Sequence, residues 1–164
     1  MKKSVQGIWL GGYVNRAGTR SRGVFQAYGK APGPYVECVQ PGAFRRALLF
    51  PCPNVLLTVD HGRVIGSTWG GELRLEEDAT GLRALALIRD AEAIHAAQWG
   101  QIQGWSFSFF PLGVKWEQIG AHLYRRTVRR LILHDIALVL RGSPAYPGTT
   151  VNLVKGDCYD HLRD

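Results

Sequence analysis

Apolar and polar positions alternate in short runs along most of the chain, and glycine or proline separates the runs. Alternation is typical of half-buried strands, because successive side chains of a strand point to opposite faces of the sheet. In the clearest case Leu73 and Leu75 alternate with charged residues, and the segment DATG (78–81) then provides a turn. We therefore predict a hairpin of two strands over 72–76 and 82–88. The remaining predicted strands cover 5–14, 24–28, 35–39, 54–60, 105–109, 114–118, 122–127, 130–140 and 150–154.

Two segments have the periodicity of a short helix rather than that of a strand. Residues 43–50 place Phe44 and Ala47 on one side and are followed by prolines. Residues 91–103 follow Asp90, whose carboxylate can cap a helix N-terminus, and Gly104 would end that helix. Many short strands with two short helices predict a mainly β fold of the α+β class.

The composition is that of a single folded domain. A length of 164 residues with 46% hydrophobic residues suffices for one sizeable core, so we treat 1–164 as one domain. The chain has no run of roughly 18 apolar residues and no apolar signal-peptide core after its first lysines, which argues against membrane insertion and secretion. Cys38, Cys52 and Cys158 form an odd set without metal-type spacing, so we expect reduced thiols, no metal and no cofactor.

The formal net charge is +7, and much of it comes from two groups of arginine. The groups are Arg16, Arg20 and Arg22 near the start, and Arg125, Arg126, Arg129 and Arg130 further on. Clustered arginine is compatible with a nucleic-acid surface, a solvated strand face or attraction to an acidic protein. The charge alone leaves these three alternatives open.

A candidate nucleophile lies in the segment GWSFSF (104–109). Strand alternation puts Ser106 and Ser108 on one face and the aromatic residues on the other. Either hydroxyl could be the nucleophile. Serine on the polar face of a strand is also common without any catalytic role.

His61 ends the apolar strand predicted over 54–60 and precedes Gly62. From that position the imidazole could reach a neighbouring strand and act as a general base, although histidines at strand ends often have purely structural roles. Alternation along the strand points Asp60 to the opposite face, so we predict that Asp60 does not orient this imidazole.

A candidate carboxylate, Asp135, lies in the run LILHDIALV on the same predicted face as Leu133 and Ala137. A carboxylate among such residues must be paired, because burying it alone costs several kcal/mol. Its partner could be a catalytic histidine or an arginine that it neutralises. His134 lies on the opposite face of the same strand. A hydroxyl, an imidazole and a carboxylate on stiff strands together favour a serine hydrolase.

These residues, taken in chain order, resemble the caudoviral prohead proteases, which are serine endopeptidases that mature the capsids of tailed phages. The similarity covers about 24–154 and consists of separate blocks. They are VQPGAF (39–44), His61 with the IG pair at 65–66, the acidic hairpin turn over 75–82, WSFSF (105–109), and DIALV (135–139) with PAYP (144–147). The chain has Ser108 where the family usually has glycine, Asp60 where asparagine is common, and Asp135 where glutamate is common.

The resemblance implies a fold similar to herpesvirus assemblin, which is a small β-barrel flanked by helices. It also implies that Ser106 is the nucleophile, that His61 is the base and that Asp135 is the third catalytic residue. His134 is the alternative third residue, because assemblin-type enzymes use a second histidine in that role.

The segment LRGS (140–143) is the candidate oxyanion site. A glycine lets the main chain approach a substrate closely, so we expect the backbone amides of Arg141 and Gly142 to hold the oxyanion. A plain turn would have the same sequence.

The activity that the resemblance implies is cleavage of protein inside the immature procapsid, in the cytoplasm of a bacterial host. The substrate would be the scaffold protein or the scaffold-like N-terminal part of the major capsid protein, and the protease could also cleave itself. Scaffolding segments are often acidic, so the +7 charge would favour packaging the two together. Assemblin-type enzymes tend to need a dimer, which implies a homodimer or higher self-association.

Two other classes of function remain open. A non-catalytic capsid-assembly module would keep the fold with an inactive site. A basic nucleic-acid-binding β-domain would use the second arginine group with exposed aromatic residues. We rank nucleic acid below a protein substrate and expect no membrane partner.

Overall fold

The computed structural model describes residues 6–49 and 51–155. Strands contain 50% of the residues and helices 9%, so the predicted mainly β fold of the α+β class is confirmed. Val5, Phe50 and Cys158, which belong to a predicted strand, a predicted helix and the cysteine set, lie outside the described residues. The thiols of Cys38 and Cys52 are free.

The secondary-structure elements follow one another along the chain in an order dominated by strands. In chain order they are β1 (Ile8–Arg16), β2 (Tyr35–Val39), α1 (Ala43–Ala47), β3 (Leu56–Val59), β4 (Arg63–Ser67), β5 (Leu73–Glu77), β6 (Gly81–Ile88), α2 (Ala91–Gln98), β7 (Gly104–Gly120), β8 (Leu123–Val139) and β9 (Asn152–Leu153).

These strands form two sheets. One has the order β5-β6-β1-β9, and the other has the order β2-β8-β3-β4, with β7 paired to β8. Within the described ranges the strand pairings do not close on themselves, so the predicted barrel is not found. A closed barrel would require the outer strands to hydrogen-bond to one another, and here both sheets remain open. The similarity to assemblin stays a prediction.

The predicted hairpin and the predicted helix cap are confirmed. Strands β5 and β6 pair antiparallel, and the Asp78 carboxylate accepts hydrogen bonds from the amides of Thr80 and Gly81 in the connecting turn. The Asp90 carboxylate accepts the amide of Ala93 at the start of α2. However, α2 ends at Gln98 rather than near 103, because Gly100 adopts a left-handed conformation (φ 64°) that does not continue a helix.

One predicted strand is not found in the described residues, and one strand of the structure was not predicted. Residues 24–28 do not form a strand, since Phe25 makes a single bridge to Tyr35 within an irregular loop. In contrast, β4 was not predicted, because its sequence RVIGS is short and contains a glycine, which weakens the alternation signal. It pairs antiparallel with β3.

Strands β7 and β8 form one long ribbon of two 17-residue strands. The sequence pattern predicted each of them as two shorter strands, because the pairing register shifts after Ser108 and around Gly113. Each shift disturbs the alternation of side chains while the backbone pairing continues. The predicted breaks are therefore irregularities inside continuous strands.

The order of three neighbouring strands determines where the candidate residues lie. Strand β8 lies between β3, with which it pairs in parallel, and β7, with which it pairs antiparallel. Ser106 on β7 lies opposite Ala137 of β8, and Thr58 on β3 pairs with the same residue. The end of β3, the C-terminal end of β8 and the start of β7 are thus side by side.

The start of β7 is anchored in the core. Trp105 is fully buried, and its indole Nε1 donates a hydrogen bond of 2.9 Å to the carbonyl oxygen of Thr150. Gly104 has a φ of 146°, and a Cβ added there would lie 2.8 Å from Pro144 Cγ and closer still to Thr149. This close packing fixes the backbone immediately before Ser106.

Candidate active site

Ser106 lies at the start of β7 with its hydroxyl on the open side of the sheet. The neighbouring aromatic residues lie on the other side, as the alternation predicts: Trp105 is buried, and the Phe107 ring packs against Phe44 at a centroid distance of 5.2 Å and against Tyr146 at 5.3 Å. Packing of these rings holds the strand rigidly, so the position of the hydroxyl is well defined.

His61 reaches Ser106 through a sharp turn at the end of β3. Asp60 and His61 have φ values of 50° and 58°, and in the described part of the chain they are the only residues other than glycine with a positive φ. Such conformations are uncommon and often occur at functional sites. The turn brings the imidazole Nε2 to 2.9 Å from the Ser106 hydroxyl oxygen.

Asp135 lies on the other side of the imidazole. Its Oδ2 is 2.9 Å from His61 Nδ1, and its Oδ1 is 3.2 Å from the same nitrogen. The carboxylate is 3% exposed and also accepts hydrogen bonds from the hydroxyls of Thr58 (2.7 Å) and Ser108. The buried carboxylate is therefore paired with a histidine and two hydroxyls, not with an arginine.

The structure separates the two candidate nucleophiles and the two candidate third residues. Ser106 contacts the imidazole, whereas the Ser108 hydroxyl donates to Asp135. His134 is exposed and lies on the opposite face of β8 from Asp135, as the alternation predicts. Of the two, it is Asp135 that the structure brings to His61.

A hydroxyl, an imidazole and a carboxylate joined in this order form the arrangement that activates a serine for attack on a carbonyl carbon. The family profile of the caudovirus prohead serine protease matches residues 2–163, nearly the whole chain. The chain belongs to the caudovirus prohead serine protease family. The chain is accordingly a serine endopeptidase of a family that acts in capsid maturation, as predicted. Comparison with curated proteins and comparison with solved structures each gave no match.

The pKa values of Asp135 and His61 are shifted in the directions that a serine protease needs. Burial acts to raise the pKa of Asp135, but hydrogen bonds from His61, Ser108 and Thr58 outweigh it and lower the pKa to about 2. The hydrogen bond to Asp135 raises the pKa of His61 above the ordinary 6.5, in spite of partial burial. At neutral pH the carboxylate is ionised and accepts Nδ1–H, which leaves Nε2 free to accept the serine proton.

The raised pKa of His61 leads to a prediction for the pH dependence of the protease. Only neutral His61 can accept the Ser106 proton, so kcat/KM should rise as pH increases through the pKa of this histidine in the free enzyme. Because that pKa is raised, we expect the midpoint to lie above 6.5. The measurement is kcat/KM against pH with a cleavable peptide, together with a thermal unfolding scan at each pH. A midpoint below 6.5 in folded protein would contradict the prediction.

An open cleft of about 340 Å³ adjoins Ser106 and His61. Its apolar lining includes Phe25, Phe109 and Pro111. A second depression of about 380 Å³ lies on the four-stranded sheet and contains none of the candidate catalytic residues. The cleft beside Ser106 can therefore place a substrate carbonyl at the candidate nucleophile.

A buried polar network forms another part of that cleft. Glu37 is 3% exposed; its carboxylate accepts a 2.6 Å hydrogen bond from Arg126 Nε and a 2.7 Å hydrogen bond from the Tyr146 hydroxyl. Burial raises the pKa of Tyr146, and the neighbouring Glu37 raises it further, so the phenol stays protonated and remains a donor. The network joins β2, β8 and the segment after β8, and it stiffens that side of the cleft.

The expected oxyanion segment begins just beyond β8. The Arg141 amide donates a 3.2 Å hydrogen bond to Asp60 Oδ1, and the Leu140 amide donates a 2.8 Å bond to the same oxygen. Gly142 has a left-handed φ of 85°. Sequence reasoning considered Asp60 only as a partner for His61 and did not predict these contacts, although an aspartate directly after a strand is typical of a turn residue that binds backbone amides.

Within 6–49 and 51–155, no group of His, Cys, Asp and Glu side chains is arranged to hold a metal ion. In the same ranges, no helix has the length and hydrophobicity of a membrane span.

Proposed function

We propose that Ser106, His61 and Asp135 form the catalytic triad of a protease that cleaves capsid or scaffold protein inside the procapsid of a tailed phage. The observation that carries this proposal is the continuous chain of hydrogen bonds from the Ser106 hydroxyl through His61 to the buried carboxylate of Asp135. Each contact is within 2.9 Å, which is the reach that proton transfer requires.

The reaction follows from these positions. The Ser106 oxygen bonds to the carbonyl carbon of the scissile peptide, and its proton passes to His61 Nε2. The protonated imidazole then gives that proton to the leaving amine as the carbon–nitrogen bond breaks, which leaves an ester on Ser106. Water attacks the ester, gives a proton to His61, and releases the acid product as Ser106 recovers its proton. Asp135 stays ionised throughout and stabilises the imidazolium.

The oxyanion requires amide donors, for which the backbone N–H groups of Arg141 and Gly142 remain our proposal. Their support is the glycine at 142 and the position of the segment directly after β8. The Arg141 amide donates to Asp60 in the present structure, so it could serve the oxyanion only by exchanging that hydrogen bond. Gly142 has more conformational freedom because glycine lacks a Cβ, and the space beside it is open, since an added Cβ would meet nothing within 4 Å.

The proposed substrate is the scaffold protein or the scaffold-like N-terminal part of the major capsid protein, with self-cleavage as a further possibility for the same site. Family membership supports a capsid or scaffold substrate, and the net charge of +7 supports attraction to an acidic segment. The site of action would be the procapsid in the host cytoplasm. Self-association as a homodimer or larger assembly is proposed on the resemblance to assemblin-type enzymes alone.

The structure weakens the nucleic-acid alternative. Two of the four arginines in the second group are engaged in ion pairs, Arg125 with Glu117 and Arg126 with the buried Glu37. An arginine whose charge is neutralised in this way contributes little to phosphate binding. Arg129 and Arg130 are exposed, so only half of this arginine group is free of the ion pairs with Glu117 and Glu37.

The proposed function is tested by co-expressing the chain with the major capsid or scaffold protein of the same phage. Intact-mass spectrometry of the partner should show a defined truncation with the wild-type chain and full-length protein with Ser106→Ala. Ser108→Ala is the matched control, because it removes a neighbouring hydroxyl that does not contact the imidazole Nε2. The same truncation with Ser106→Ala would show that another residue or another protease is responsible.

A further inference from the structure

Asp60 connects the turn that carries His61 to the segment that follows β8. Its backbone amide donates a 3.0 Å hydrogen bond to the carbonyl oxygen of Leu138, which extends the pairing of β3 with β8 by one residue. Its carboxylate Oδ1 accepts the amides of Leu140 and Arg141. Asp60 therefore makes three hydrogen bonds to the backbone of residues 138–141, one as the donor and two as the acceptor.

The Asp60 carboxylate is more enclosed than that of a solvated turn residue. Asp60 is partly buried, and its second carboxylate oxygen Oδ2 is buried without a hydrogen bond in the described structure. That oxygen lies 3.8 Å from Nη1 of Arg141, and Nη2 of the same guanidinium is held by Glu92 of α2 at 3.0 Å. Leaving a buried carboxylate oxygen without a hydrogen bond is costly, so the two hydrogen bonds that Oδ1 accepts must offset that cost.

We propose that Asp60 is a positioning residue that holds His61 and the backbone of Leu140 and Arg141 in one fixed relation to Ser106. This inference rests on the proposed catalytic roles of Ser106 and His61. Asp60 does not hydrogen-bond to the imidazole or to the Ser106 hydroxyl, although its negative charge contributes to the raised pKa of His61. Its own hydrogen bonds act through the backbone of the turn and of the segment after β8. Without it, the left-handed turn and the segment after β8 would be free to move independently.

Two replacements of Asp60 are compatible with its left-handed backbone conformation. A left-handed φ of 50° is available to aspartate, asparagine and glycine with little strain, whereas other side chains adopt it less readily. Asp60→Asn keeps both the turn and an acceptor oxygen. Asp60→Gly keeps the turn but removes the acceptor. The pair separates the hydrogen bonds from the backbone conformation.

The test measures the second-order rate at which a fluorophosphonate probe labels Ser106 in full-length wild type, Asp60→Asn, Asp60→Gly and Ser106→Ala. We expect Asp60→Asn to label within about fivefold of the wild-type rate, since a neutral acceptor keeps roughly half the strength of a charged one. We expect Asp60→Gly to label about 100-fold more slowly, because a displacement of about 1 Å in a reacting group costs that much. Rescue by asparagine distinguishes positioning by the acceptor from a general effect of substitution.

The labelling rates show whether the acceptor oxygen of residue 60 positions the site. If Asp60→Gly labels as fast as wild type, or if Asp60→Asn is as slow as Asp60→Gly, the positioning role of the acceptor is wrong. If Ser106→Ala still labels, the proposed function fails instead. Circular dichroism and thermal unfolding verify that each variant is folded. If Asp60→Gly does not fold, the hydrogen-exchange rate of the Leu140 amide is measured instead. Slow exchange of this amide in wild type and in Asp60→Asn supports the positioning role. Fast exchange in wild type overturns the positioning role.

Discussion

Replacing Ser106 by alanine should lower kcat by about a million-fold and leave the fold intact. In serine proteases the nucleophile and its base act as a unit, so removing either one removes nearly all of the rate that the pair provides. Ser106 is the hydroxyl that lies 2.9 Å from Nε2 of His61, and His61→Ala should therefore have an effect of similar size. The measurement is single-turnover cleavage of a peptide that spans the truncation site found in the co-expression experiment, followed by mass spectrometry.

Ser108→Ala is the control for this prediction, because the two hydroxyls lie on the same face of β7 only two residues apart. The Ser108 hydroxyl donates to Asp135 and not to the imidazole, so its loss removes one hydrogen bond to a charged group. Such a bond contributes about 1.5–3 kcal/mol, and only part of it acts on catalysis, so we expect roughly a tenfold loss. A million-fold loss in Ser108→Ala with a mild loss in Ser106→Ala would reverse the assignment of the nucleophile.

The candidate residues Ser106 and Asp135 could be predicted from the sequence because each lies on a strand whose two faces are chemically different. His61 instead lies in the turn that follows β3. Period-two alternation correctly placed Ser106 away from the aromatic core and Asp135 on a buried face. Burial then required a partner for the carboxylate, and histidine was one of the two partners considered. Alternation could not choose between these partners, since the choice depends on which strand lies beside β8.

The role proposed for Asp60 could not be predicted by the same rule. Alternation applies while a strand continues, and β3 ends at Val59, one residue before Asp60. Beyond that point two successive left-handed residues set the directions of the side chains, and such conformations leave little signal in a single sequence. The expectation that Asp60 does not bond to the imidazole agrees with the hydrogen bonds of the structure, although the reason given for it does not apply.

The alternation of neighbouring residues also could not predict the full length of strands β7 and β8. A bulge shifts the phase of alternation by one residue, so a continuous strand has the sequence pattern of two strands with a break between them. The predicted closed barrel is not found among the described residues, for a different reason. Closure is a property of how the outermost strands meet, and nothing in the alternation of residues within a strand reports on it.

Replacing Asp135 by asparagine should lower kcat by about 10,000-fold, which is a smaller loss than that of the nucleophile but still a large one. The ionised carboxylate accepts Nδ1–H and so keeps Nε2 unprotonated. The amide of asparagine can instead donate to Nδ1, which would favour the tautomer that carries its proton on Nε2. In that tautomer His61 cannot accept the Ser106 proton, even if every atom stays in place.

Two further measurements distinguish this effect from a loss of structure. Because the hydrogen bond and the charge of Asp135 both raise the pKa of His61, Asp135→Asn should move the rise of kcat/KM to lower pH while it lowers the plateau. Asp135→Glu is the matched variant: it keeps the negative charge and should keep the midpoint near that of wild type, with a rate between those of wild type and Asp135→Asn. An unchanged midpoint in a folded Asp135→Asn variant would show that this carboxylate does not control the ionisation of the base.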